Sequence, residues 1–126
     1  MNIPLVSAAL LAIAVGAVHS ILGERYIIRP ILRRADLPQL FGDDSFTRQT
    51  IRFAWHLTTV AWFGLAAILI VLSGPFTSIR VGDGVVFAIA LTFLVTTIVA
   101  LAGSRGRHLS WVVFAAITAL CLLALG

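Results

Sequence analysis

Lysine is missing from this chain. All nine basic side chains among its 126 residues are arginine, and glutamate occurs once, at Glu24. Charged residues make up 11%, against about 25% in soluble domains. Hydrophobic residues make up 60%, and the mean hydropathy is +1.08. A soluble domain of this size leaves about a third of its unfolded surface wet, so the composition excludes water as the main solvent and implies lipid. With a single cysteine, Cys121, the chain has no internal disulfide and no two-cysteine metal site. HxxxH, HExxH and Glu-x-x-His patterns are also missing, which removes the strongest sequence signatures of a metal centre. Repeats and low-complexity segments are absent too.

The net charge of +4 and pI of about 11.1 invite a nucleic-acid reading. The arginines are confined to the flanks of apolar segments, with no soluble module to present a groove-reading element, so nucleic acid is excluded as a partner. Arginine forks match phosphate geometry, which makes the lipid bilayer, with its anionic lipid headgroups, the expected partner.

Four apolar stretches are present, at about 3–22, 51–72, 85–102 and 109–125. Each approximates the 17–25 or so residues that cross a ~30 Å hydrocarbon core. The expected fold is an all-α integral membrane protein: a single transmembrane domain over residues 1–126, with four helices in an antiparallel bundle. Asp43, Asp44 and Ser45 are placed to cap the second helix. Ser73-Gly74-Pro75 is expected to stop it. Gly82-Asp83-Gly84 reads as a turn into the third helix, and residues 103–107 as a tight connection to the fourth. Between the first two spans, residues 23–47 read as a cytoplasmic interfacial loop. There Arg25, Arg29 and Arg33 repeat every four residues around Ile27, Ile28, Ile31 and Leu32, the pattern of an amphipathic interfacial segment. Pro30 would sit in its first turn or kink a continuation of the first span.

Eight of the nine arginines flank one side of the predicted spans, and only Arg80 flanks the other. The positive-inside rule then places the chain in a bacterial inner (plasma) membrane with both termini outside. Nothing basic precedes the first apolar segment, so that segment is expected to stay as a span rather than act as a secretory signal.

The same topology brings the polar residues together. His19, Glu24, Arg48, Arg52, His56 and His108 all fall at the cytoplasmic ends of the spans. Arg48, Arg52 and His56 follow at four-residue intervals, on one helix face. Ionisable groups at that depth need partners or water and are functional candidates. Glu24 is expected to meet Arg52. Ala8, Ala12, Gly16 and Ser20 form a small-residue stripe on the first helix, suited to close helix packing.

Three functional readings follow. The favoured one is transport or binding of a small ion or solute through the His/Glu/Arg cluster, by a homo-oligomer. A second is a redox protein holding a transition metal or haem through His19 and His56 from facing helices. A third is a non-catalytic membrane assembly subunit in which the cluster is a packing clasp. Hydrolysis is not expected, since Ser20 and Ser110 only neighbour His19 and His108 along a helix, and adjacent helical residues do not face each other. Two families of small four-span proteins match in length alone. Small multidrug exporters carry a glutamate in mid-span, whereas Glu24 stands at a span's end. The Ser-Thr-Phe motif of fluoride channels is not present in "VVFAIALTFLVTTIVA". No family is assigned.

Overall fold

The structure, a computed structural model, describes residues 2–74 and 80–125. Among these it is all-helical. α1 (Ile3–Gly23) runs into a single π turn (Glu24–Ile28) and then α2 (Arg29–Ile31), so the first helical rod reaches Ile31 without a break. α3 spans Ser45–Leu72, α4 Val81–Ser104 and α5 Ser110–Leu123. The first rod, α3 and α4 are long and apolar enough to cross a membrane. α5, with 14 residues, is the shorter apolar helix of the four.

Polar residues set the helix starts where hydropathy alone misses them. Asn2 caps α1 by accepting the Leu5 N–H, at 3.3 Å. Its own N–H donates to the Ser73 carbonyl at 2.8 Å, which ties the start of α1 to the end of α3 and makes them antiparallel. α3 begins at Ser45 rather than at Ile51. Its polar first turns are held by Asp43, which accepts from the Ser45 N–H (3.0 Å) and hydroxyl (2.6 Å), and by an Arg48–Asp44 pair four residues apart. Asp44 occupies the N-cap position without a side-chain cap. Ser73 ends α3 and Gly74 follows at φ +78°. Pro75 lies outside the described residues.

Two sequence expectations are corrected. Residues 24–31 are not a separate interfacial element but the continuation of α1. Within them Ile28 is buried, while Arg25 and Arg29 stay exposed. Gly82-Asp83-Gly84 is not a turn: it lies in the first turn of α4, and the boundary is Arg80, in extended conformation. Asp83 suits a helix N-terminus and pairs with Arg80 at 2.8 Å, which offsets the poor helix propensity of its two glycine neighbours. The loop into α3 closes at Leu40–Asp43, with Phe41 and Gly42 both at positive φ.

Packing follows chain order. Among the described residues α1 packs on α3, α3 on α4, and α4 on α5. What these contacts bury is mostly small: Ala9, Gly16 and Gly23 on α1, Thr59, Gly64 and Ala66 on α3, and Gly84, Ala88, Ala90, Thr96, Ala100 and Ser104 on α4, with Phe53 of α3 the large exception. Large apolar residues such as Leu11, Leu65, Ile98 and Leu120 face outward. Lipid gives helices no hydrophobic reason to associate, so close backbone approach at small residues holds such a structure together. A Cβ on Gly64 would strike the Thr92 side chain, and one on Gly103 would lie 2.5 Å from the Phe53 Cβ. These two glycines set how near α3 and α4 come. On α1 the buried seam is Ala9, Gly16 and Gly23. Of the expected stripe, Gly16 lies in that seam, Ala12 and Ser20 are half-buried, and Ala8 is exposed.

Candidate functional site

The polar residues gather where α1 and α3 meet, and Glu24 is the hub. It opens the π turn, and its neighbour Gly23 lies so close to Trp55 that any side chain at 23 would collide with the indole. Trp55 Nε1 donates to the His19 carbonyl at 3.3 Å, locking this part of α1 onto α3. Single π turns are commonly found at functional sites. Here Glu24, still in register with Ser20, faces α3, and the turn brings Arg29 over it. Arg52 reaches its Oε1 at 3.2 Å, and Arg29 reaches the same oxygen at 3.4 Å. His56 Nε2 lies 3.4 Å from Oε2.

The other nitrogen of His56, Nδ1, is 2.5 Å from the Ser20 hydroxyl. The two contacts fit one tautomer, with Nε2–H donating to Glu24 and Nδ1 accepting from Ser20. Ser20, His56 and Glu24 thus form one hydrogen-bonded line across the two helices. Deeper along the same seam, the buried Thr59 hydroxyl donates to the Gly16 carbonyl at 3.3 Å. A serine–histidine–carboxylate line also has the connectivity of an acyl-transfer triad. Ser20, however, lies inside an unbroken helix, where backbone N–H groups are spent on helical bonds, so no pair of free donors is aimed beside it to hold an oxyanion.

The remaining candidates take other partners. His19 stacks on Trp55 with centroids 4.4 Å apart and planes 5° from parallel, and its ring is 5.4 Å from that of Trp62. Its Nε2 is 2.9 Å from the Thr58 hydroxyl, which itself donates to the Trp55 carbonyl. His19 and His56 therefore engage different groups rather than one shared site. Among the described residues, no three of His, Cys, Asp and Glu converge as metal ligands do. His108 lies at the start of α5, accepts the Ser110 N–H at Nδ1 (3.3 Å), and packs against Phe46 and Phe53. Arg48 is bound by Asp44 and by the carbonyls of Leu32 and Arg34.

Beside the hub, between the end of α2, the start of α3 and the end of α4, lies a cavity of about 440 Å³. Arg48, Arg52, Arg105, Gln49, Phe53 and Gly103 line it. Outside the spans, the Asp44 carboxyl is held below its ordinary range by its hydrogen bond from Arg48, and that of Asp43 by the Ser45 hydroxyl and N–H.

Sequence reasoning assigned Ser20 to packing and Arg29 to the interfacial segment, and left Thr58 out of the polar cluster. A signal for Ser20 was there. Ser20 and Glu24 are four apart on the first helical rod, as Arg52 and His56 are on α3, so two facing i, i+4 pairs were available. No family model, curated protein or solved structure matches the chain.

Proposed function

We propose that this chain is a small membrane protein that binds and passes a small ion at the polar end of its helices, and that the ion is the proton. The observation that carries the reading is the Ser20–His56–Glu24 line, a run of proton donors and acceptors leading from the arginine-rich end into the α1–α3 seam. Ionisable groups within membrane helices commonly serve proton relays. Arg52 and Arg29 hold the carboxylate in place at one end of the line, and the Ser20 hydroxyl is its inner end.

Four helices packed in chain order make a narrow set, so the proposed working form is a homo-oligomer in which a second copy completes the path. The packing of each helix on its chain neighbours alone leaves long apolar faces for lipid or for that copy. The arginine bias favours a bacterial inner membrane with the polar end cytoplasmic. α5 is proposed as a fourth crossing.

The test is proton flux into liposomes containing the purified protein and an internal pH dye, driven by a potassium gradient with valinomycin. Acidification faster than in protein-free vesicles is expected, lost in Glu24→Gln and His56→Phe but kept in His19→Phe. Wild-type vesicles no faster than empty ones would overturn the proposal.

A further inference from the structure

The 440 Å³ cavity has a charge that the chain does not balance. Of its three arginines, Arg48 is matched by Asp44, and Arg52 shares Glu24 with Arg29. Arg105 has no carboxylate within ion-pair distance among the described residues. The cavity wall therefore carries about one uncompensated positive charge, with the Gln49 amide as a neutral donor beside it. Arg48, Gln49 and Arg52 all belong to the first two turns of α3.

Arg105 is held there at a cost. It ends α4 in the left-handed conformation, at φ +51° and ψ +38°, with glycine only at the next position. Helices of this kind usually place glycine at the left-handed residue. A non-glycine side chain there is strained and is kept where the surroundings demand it.

A second, apolar groove of about 170 Å³ lies farther along the same seam, lined by Val60, Gly64 and Ala67 of α3 and by Ala88, Thr92 and Val95 of α4. Gln49, Phe53, Val60, Gly64 and Ala67 recur at intervals of four, seven, four and three, so both hollows open on one face of α3. On α4, Ala102 lies seven residues beyond Val95 and so shares its face. Eight residues of α3, about 12 Å, separate Arg52 from Val60.

The geometry points to a resident phospholipid on the α3–α4 seam, its phosphodiester held by Arg105, Arg52 and Arg48 and an acyl chain lying in the groove toward Gly64. A phosphodiester supplies one negative charge and accepts forked guanidinium bonds. The site shares Arg52 with the proton line but does not depend on it, so His56→Phe should leave lipid binding intact.

The test is native mass spectrometry of the full chain in mild detergent, titrated in turn with phosphatidylglycerol, phosphatidylcholine, diacylglycerol and inorganic phosphate. Phosphatidylglycerol should bind at one per chain, more tightly than the other three. Losing a charge-assisted contact weakens binding about tenfold or more, which is the loss expected for Arg105→Gln, with partial recovery in Arg105→Lys. Arg105→Gly should lower lipid affinity as much while raising the thermal midpoint of the lipid-free protein, because glycine relieves the left-handed strain. Those opposite signs cannot come from misfolding. Ala67→Trp, which fills the groove, should weaken phosphatidylglycerol but not inorganic phosphate. Unchanged lipid binding in Arg105→Gln or Arg105→Gly would overturn the site. Equal binding of diacylglycerol would show that phosphate is not recognised, and tight binding of inorganic phosphate without lipid preference would make it a free-anion site instead.

Discussion

Ser20 and His56 are 36 residues apart in the chain, and their side chains meet at 2.5 Å. The contact turns the imidazole so that its other nitrogen faces Glu24. It fixes the tautomer and the rotation of α1 about its own axis in one bond. A single-residue slip of α1 would carry Ser20 to another face of the helix and break the line. The π turn after Gly23 leaves Glu24 in register with Ser20 and brings Arg29, five residues on, over the same carboxylate, which also serves Arg52 and His56.

The hub should show energetic coupling. Glu24→Gln is expected to destabilise the protein by about 1–2 kcal/mol, between the values for exposed and for fully buried pairs, since the Glu24 side chain is 21% exposed and that of Arg52 50%. Arg52→Gln in the Glu24→Gln background should cost less than it does alone. The cycle is read from unfolding in mixed micelles. Strictly additive losses would mean that the observed pair contributes nothing to stability.

Packing on α1 should depend sharply on position. Gly16→Leu drives a side chain toward the Phe63 ring, which lies 3.0 Å from where even a Cβ would sit, and Gly23→Ala meets the Trp55 indole. Each should cost about 1–3 kcal/mol, as overpacking does. Ala8→Leu faces outward and should be neutral within error. Thermal midpoints in one detergent suffice, and equal effects at 8 and 16 would reject the seam through Ala9, Gly16 and Gly23.

The difference between Ala8 and Ala9 also marks what could be read from the sequence. Small residues every fourth position identified a packing helix, but a four-residue repeat drifts around a helix of 3.6 residues per turn. The seam that forms instead steps by seven, through residues 9, 16 and 23. Membership of the polar end was legible because topology and arginine bias bring all those groups to one side. Their partners were not, since they depend on rotation about each helix axis. Glu24–Arg52 was reachable because Glu24 is the one acidic residue of the first helical rod. His19 against Trp55, and His108 as a cap for α5, were not, because aromatic stacking and capping leave no charge pattern. Hydropathy also ended the first helix too early: Glu24 and Arg25 lower the score without stopping the helix.

Acid should loosen the start of α3 before the spans. The carboxyls of Asp43 and Asp44 are held below their ordinary range by Ser45 and Arg48 respectively. A carboxyl lowered in the folded state binds fewer protons there than in the unfolded chain. Its contribution is complete above the unfolded value and is lost as pH falls through the folded one. The backbone amide resonances of Ser45–Arg48 should therefore shift toward random-coil positions as pH drops below about 4, while those of the α3 centre stay fixed. Asp44→Asn should remove part of that dependence. A transition near neutral pH, or none, would contradict this account.

The crossing of α5 decides where the chain ends. Its 14 helical residues extend about 21 Å, short of a ~30 Å hydrocarbon core. Turns lengthen it at both ends: the Val112 N–H bonds the Leu109 carbonyl, and the Leu125 N–H bonds that of Leu122. Over Leu109–Leu125 the element reaches about 25 Å, which a locally thinned bilayer accommodates at modest cost. Leu109, Leu120, Leu122 and Leu123 are all exposed, as lipid contact requires. A reporter active only in the cytoplasm should therefore be silent when fused after Gly126 and active when inserted between Arg105 and Arg107. A periplasmic reporter should give the reverse. Activity of the cytoplasmic reporter at both positions would mean that α5 lies on the membrane rather than through it, and that the chain has three spans.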